Sequence, residues 1–157
     1  MIIGFSIFTK GSDNVAETGL QGYFMFSGVE VMMFVGFGYL MTFMKWYGLS
    51  AVGFTMCITA IGLQWVVLTE GFFAQWMALA DDEKWQYIDV TIYALLDCLY
   101  AVSAVLISFG ALIGKVSPMQ LFIVTVIELR LHSVNFKVIL GGLYVADLGG
   151  TYIDHMF

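Results

Sequence analysis

The chain has 157 residues, enough for one domain, and only 11% of them are charged while 61% are hydrophobic. Soluble globular domains carry roughly 25% charged residues, so this composition excludes an ordinary soluble enzyme. The net charge of −6 argues against a nucleic-acid binder. A mean hydropathy of +0.90 instead predicts an integral membrane protein whose solvent is largely lipid.

Four apolar stretches are each long enough for a transmembrane helix, which needs about 20 residues to cross about 30 Å of hydrocarbon. They lie at about 23–44, 49–69, 91–113 and 119–145. The fourth contains Glu128, Arg130 and Lys137, so we expect part of its second half to face protein or water. The alternating polarity of β-barrel strands is not seen, and an all-α membrane fold is predicted.

The connections between these stretches differ in charge. Two short connections carry Lys45 and Lys115, whereas the long connection from Glu70 to Val90 is acidic. The positive-inside rule places the short basic connections in the cytoplasm. The acidic connection and the polar N-terminal segment are then expected on the outside.

Two helix starts are predicted from capping residues. Ser117 followed by Pro118 is typical of an N-cap with proline at the first helical position, which would begin the fourth helix. Asp147 can cap a further helix that enters from the outside. A fifth span would therefore begin near 147 and be unfinished where the chain ends at Phe157.

His155 and Tyr100 are candidates for a polar path. His155 lies eight residues after Asp147, which is about 12 Å along a helix axis and near the middle of the bilayer. Ionisable residues at that depth often line a pathway, although a histidine that bonds to neighbouring helices would fit equally well. Tyr100 approaches the same depth from the same side and could narrow such a path, but most membrane aromatics are packing or belt residues.

Acidic residues inside the apolar stretches are the secondary candidates. Asp97 costs roughly 2.5–3.5 kcal/mol to insert at a helix centre, so it is neutral, paired, facing water or close to the interface. Glu30 is either an acid at an outer mouth or an interfacial residue. Glu128 and His132 are spaced to pair on one helix face.

The sequence lacks the common patterns of enzymes and metal proteins. No Ser–His–Asp set, nucleotide-binding loop or metal-spaced cluster is found in the sequence. We therefore predict no enzymatic activity, no cofactor and no metal site.

Several segments follow one another in the order of a known family. They are Phe34–Phe43, Ser50–Phe54, Gly62–Trp65, Phe109–Pro118 and Asp147–His155. The last fits the signature Asp-x-Gly-Gly-(Ser/Thr)-x-x-x-His. Together they resemble the Rhesus glycoproteins, the animal branch of the ammonium transporter superfamily, over nearly the whole chain.

The resemblance implies the N-terminal part of an ammonium-transporter fold, with four transmembrane helices and the start of a fifth. Members of the family are built as two inverted halves and assemble as trimers in the membrane, so a homotrimer or hetero-oligomer in the plasma membrane is expected. Their substrate is ammonium or ammonia, with carbon dioxide as a second candidate. Neutral ammonia is expected to pass a hydrophobic pore lined by histidine.

Three residues take family roles by resemblance. His155 matches the first pore histidine, Asp147 matches the aspartate that supports the ammonium entry and the helix start, and Tyr100 falls at a gating phenylalanine. The chain departs from the family pattern at Tyr100, at Asp154 beside His155, and at Lys137, near which the family often has an acid.

An alternative follows from the absence of the second half with its partner histidine. By the same resemblance, the long N-terminal helix of many Rhesus members is expected to be absent or reduced to Met1–Phe8. The alternative is a truncated, non-conducting membrane protein that associates with full-length subunits. The reading frame beyond Phe157 would distinguish the two hypotheses.

Overall fold

Long helices dominate the computed structural model, which describes residues 7–11, 15–80, 87–147 and 151–155. The principal ones are α1 (Val15–Val31), α2 (Gly48–Ala80), α3 (Ile92–Leu112) and α4 (Pro118–Phe136). Within these described ranges, three helical segments are long and apolar enough to cross a membrane: Gly19–Phe43, Gly48–Trp76 and Ile92–Leu112. They confirm the predicted all-α membrane architecture. The fourth and fifth spans stay predictions.

The first apolar segment changes its helical pitch before it ends. After α1 the chain continues as a π-helix at Met32–Phe37, a single α-turn at Gly38–Leu40 and a 3₁₀ turn at Met41–Phe43. Met44 then adopts an extended conformation, with φ −76° and ψ 110°. This end agrees with the first predicted stretch, 23–44.

Helix α2 is longer than the predicted second stretch. It has 33 residues, equivalent to about 50 Å, and ends at Ala80 rather than near Thr69. Much of the predicted connection from Glu70 to Val90 is therefore helical. Hydropathy indicates only which part of a helix lies in lipid. The helical conformation itself can continue through residues 70–80, because they include no proline. Phe72 and Trp76, one turn apart, also make an edge contact with ring centroids 5.9 Å apart.

A two-stranded parallel sheet, which was not predicted, joins the N-terminal segment to the connection between α2 and α3. Strand β1 (Thr9–Gly11) pairs with β2 (Ile88–Val90), in a register that sets Lys10 opposite Asp89. The sheet packs on α2 at Gly71, where an added Cβ would lie 2.4 Å from the Ile88 side chain. Glycine is thus what allows this close approach.

Helix α3 lies at the centre of the bundle and packs against α1, α2 and α4. Its apolar residues supply much of the core, namely Leu96, Cys98, Leu99, Ala101, Val102, Val105, Leu106 and Phe109. Gly62 of α2 is a point of close packing between three helices, because an added Cβ there would lie 2.8 Å from Val102 of α3 and 3.4 Å from Leu129 of α4.

The turn from α3 to α4 is defined by local sequence. Gly114 takes a φ of +77°, a left-handed conformation that favours glycine. The Ser117 hydroxyl accepts from the Gln120 backbone N–H at 3.4 Å, and the Gln120 side chain accepts from the Ser117 N–H at 2.9 Å. This capping box, with Pro118 at the first helical position, confirms the predicted start of α4.

Candidate functional site

A cavity of about 510 Å³ lies between α3, the end of α4 and the chain that follows α4. Its polar lining residues are Asp97, Tyr100, Ser103, His132, Asp147 and Asp154. Its apolar lining residues are Met32, Phe37, Ile107, Phe136, Leu140 and Ile153. No lysine or arginine lines it in the part of the chain that the structure describes. We call it the acidic cavity, because its lining carries three carboxyl groups and no basic residue other than histidine.

Three π-helical segments contribute to the acidic cavity. Met32–Phe37 supplies both of its end residues, Lys137–Gly142 supplies Leu140, and Thr151–His155 supplies Ile153 and Asp154. A π-helical turn places an extra residue in the helix and changes the direction of the side chains that follow it. Such turns occur frequently at functional sites in proteins.

Asp147 borders the acidic cavity and holds the start of the last described segment. Its carboxylate accepts hydrogen bonds from the backbone N–H of Tyr152, at 3.1 and 3.2 Å, and of Ile153, at 3.1 Å. The predicted capping role of Asp147 is confirmed. These N–H groups lie five and six residues along the chain from Asp147, farther than the two or three of an ordinary N-cap.

Asp97 and Tyr100 reach the acidic cavity from the same face of α3. They are three residues apart, and Ser103 follows after another three, so the side chains stack along one side of the helix. The Ser103 hydroxyl donates to the Tyr100 carbonyl at 2.6 Å. Tyr100 has 36% of its surface exposed, so the ring can contact a molecule in the cavity.

The other two sequence candidates are placed differently. The backbone of His155 ends the segment Thr151–His155, but its side chain lies outside the described residues. Glu30 is half-buried near the end of α1 and is not among the residues that line the acidic cavity. The structure therefore brings together Tyr100, Asp97 and Asp147.

Sequence reasoning missed a His–Asp pair in this cavity. His132 Nε2 lies 3.0 Å from Asp154 Oδ1, with the side chains 2% and 14% exposed. Glu128, which the i,i+4 spacing offered as a partner of His132, accepts a hydrogen bond from the Ser108 hydroxyl on α3. The sequence contained one indication of this pair: an ionisable residue such as His132 in an apolar stretch needs a partner.

The site offers little for a metal ion. In the segments that the structure describes, no three His, Cys, Asp or Glu side chains are grouped closely enough to hold one. Carboxylates arranged with an aromatic ring instead suit a small organic or ammonium-type cation, which the carboxylates attract by charge and the ring by its negative face.

Comparison with known proteins gives the family. The chain is 39% identical over 155 residues to ammonium transporter Rh type C-like 2 of Danio rerio, covering 96% of this chain and 30% of that protein. It is 44% identical over 146 residues to ammonium transporter Rh type B-B of Xenopus laevis, covering 93% of this chain and 30% of that protein.

It is also 43% identical over 135 residues to the human ammonium transporter Rh type C, covering 86% of this chain and 27% of that protein. This chain belongs to the Rhesus branch of the ammonium transporter family. No protein-family profile matches it. The chain spans about 30% of the length of these Rhesus-type relatives and so corresponds to a part of them.

Proposed function

We propose that this chain forms part of a Rhesus-type channel that carries ammonium or ammonia across a membrane. The observation that carries the proposal is 39–44% identity over most of the chain to proteins named ammonium transporters. The acidic cavity supports it, because three sequence candidates, Asp97, Tyr100 and Asp147, lie together there.

The chemistry of the acidic cavity suits an ammonium ion at its entrance. Asp97, Asp147 and Asp154 give a negative potential that raises the local concentration of a small cation. The exposed ring of Tyr100 can add a cation–π contact. The apolar part of the lining, with Ile107 and Phe136, then favours a neutral molecule over an ion, because desolvating an unpaired charge is very costly.

His155 is proposed as the pore histidine that neutral ammonia meets beyond this entrance. Its support is the Asp147–His155 signature together with the confirmed cap that Asp147 places on the segment ending at His155. The trimer, the plasma membrane and carbon dioxide as a second gas are further parts of the proposal, for which the family resemblance is the support.

The natural full-length protein in liposomes with an internal pH dye would test the proposed transport. An inward ammonium gradient should alkalinise the lumen faster than in protein-free vesicles, since entering ammonia binds a proton. A rate equal to that of protein-free vesicles would overturn the proposal. Replacing the ammonium gradient by a carbon dioxide gradient tests the second gas in the same vesicles.

Tyr100 offers a sharper test of the entrance. Tyr100→Ala removes the aromatic ring and should raise the ammonium concentration for half-maximal flux by about 2- to 30-fold, as expected for losing a cation–π contact of about 0.5–2 kcal/mol. Tyr100→Phe is the matched control and should stay within about twofold of the natural protein, because the ring is kept. Equal effects of the two substitutions would contradict a role for the ring.

A further inference from the structure

We infer that His132 and Asp154 form a proton-exchange pair that accepts the proton an ammonium ion loses in the acidic cavity. The inference rests on the proposed function, since it assigns a step of ammonium transport to two residues. Neither residue was a candidate for the transport path in the sequence, and the pair becomes visible only in the folded chain.

Both members of the pair line the cavity, and Asp154 is the more exposed of the two. Nε2 of His132 and Oδ1 of Asp154 are 3.0 Å apart, a hydrogen-bond distance. Asp154 retains 14% side-chain exposure, while His132 retains 2%. Both line the acidic cavity, so a molecule inside it can reach the carboxylate directly and the imidazole through it.

The two residues come from separate parts of the fold. His132 lies on α4, and Asp154 lies 22 residues later in the segment whose start Asp147 caps. Placing an ionisable pair in an apolar bundle costs free energy that replacing it by hydrophobic residues would save. A histidine is also the side chain whose unperturbed titration lies nearest neutral pH. Both facts favour a chemical role over a packing role.

The proton step balances without a further reactant. One N–H bond of ammonium breaks, its electron pair stays on nitrogen, and neutral ammonia moves on. The proton forms a new bond to the His132–Asp154 pair, whose total charge changes from −1 to 0. The pair then returns the proton to water in the cavity, which restores its starting state.

The surrounding charges keep the transferred proton near the entrance. Asp97 and Asp147 line the same cavity. Glu70 of α2 and Glu128 of α4 interact electrostatically with His132. Lys137, just after α4, interacts in turn with Glu70 and Asp97. Carboxylates outnumber cations around the pair, and their field stabilises positive charge at the cavity.

The test compares the pH dependence of flux in the natural full-length protein and its variants. His132→Gln and Asp154→Asn should each lower the initial ammonium-driven alkalinisation rate by at least about tenfold, the low end for losing an acid–base group. Each should also change the shape of the pH dependence of the initial rate, because the group that accepts the proton is lost. The double variant should be no slower than either single one, because the two residues act as a unit.

Ser133→Ala is the matched control. It removes a buried, uncharged hydroxyl on α4 that donates to the Leu129 carbonyl, and it leaves the His132–Asp154 hydrogen bond in place. Its pH profile should keep the shape of the natural one. Asp154→Glu retains a carboxyl group and should also retain the pH-dependent profile.

A second measurement needs no variant. The infrared difference spectrum of the natural protein on replacing potassium by ammonium should show a change in imidazole or carboxyl bands, and no change would overturn the inference. Variants with reduced rates but an unaltered pH profile would also overturn it, since that is the signature of a purely structural pair. A natural protein with no ammonium flux would overturn the proposed function, and this inference with it.

Discussion

Two cavities of similar size in this chain have opposite chemistry. The acidic cavity, about 510 Å³, is lined by three carboxyl groups and a histidine. A second cavity of about 450 Å³, which we call the aromatic groove, is mostly apolar. It is lined by Phe8, Trp65, Leu68, Thr69, Phe72, Phe73, Ile88 and Arg130. The first attracts cations, whereas the second presents a guanidinium group and repels them.

Helix α4 produces this difference with two nearby residues. Arg130 lines the aromatic groove and His132 lines the acidic cavity. Residues two positions apart on an α-helix point about 200° apart, so they face opposite sides. The guanidinium lies 4.8 Å from the centre of the Trp65 ring, and the imidazole bonds to Asp154. Arg130 and His132, which make the fourth apolar stretch unusually polar, therefore lie on two opposite faces of α4.

The largest expected effect comes from a change that disturbs both cavities at once. Gly62→Val places a branched side chain where even a Cβ would lie 2.8 Å from Val102 and 3.4 Å from Leu129. Overpacking of this kind typically costs about 1–3 kcal/mol. Since α2, α3 and α4 meet at this point, both cavities should lose their shape, and the melting temperature in detergent should fall.

Gly53→Val provides the control on the same helix. An added Cβ at Gly53 meets no atom within 4 Å, so only the difference in helix propensity changes, and that is well below 1 kcal/mol. Equal melting temperatures for the two variants would contradict the close helix packing at Gly62.

A change at Asp147 should disturb the acidic cavity alone. Asp147→Ala removes a charge from the cavity lining and the acceptor for the backbone N–H groups of Tyr152 and Ile153. Losing the cap should lower the unfolding free energy by about 0.5–2 kcal/mol. Ammonium flux should fall by at least about tenfold, which corresponds to a rise of about 1.4 kcal/mol in the barrier to transport. Flux into liposomes and thermal unfolding measure the two effects.

Asp147→Asn separates charge from capping. The amide oxygen still accepts hydrogen bonds, so most of the stability should return, whereas the loss of negative charge should keep flux low. Full flux in this variant would show that the charge of Asp147 contributes nothing to transport.

Local signals in the sequence predicted local structure well. Ser117 and Pro118 marked the start of α4, and Asp147 was recognised as a cap. Each of these features depends on residues a few positions apart along the chain. The end of α2 was missed because hydropathy describes the solvent of a helix and does not describe where hydrogen bonding stops.

The His132–Asp154 pair shows why part of the site could not be predicted. An i,i+4 rule offered Glu128 as the partner of His132, but the rule ignores neighbouring helices. Ser108 on α3 engages Glu128, and Asp154 comes from a segment 22 residues beyond His132. Which of several acids a buried histidine meets depends on the tertiary packing, and a single sequence contains no direct signal of it.

The smallest expected effect belongs to the aromatic groove. Arg130→Ala removes the guanidinium above Trp65 and should lower the unfolding free energy by about 0.5–1 kcal/mol, the usual value for an exposed cation–π contact. Arg130→Lys keeps a cation near the ring and should lower the unfolding free energy by a smaller amount. Ammonium flux and its pH profile should be unchanged in both variants, because Arg130 faces away from His132. A change in the flux profile would mean that the two sides of α4 are coupled, so that the aromatic groove takes part in transport.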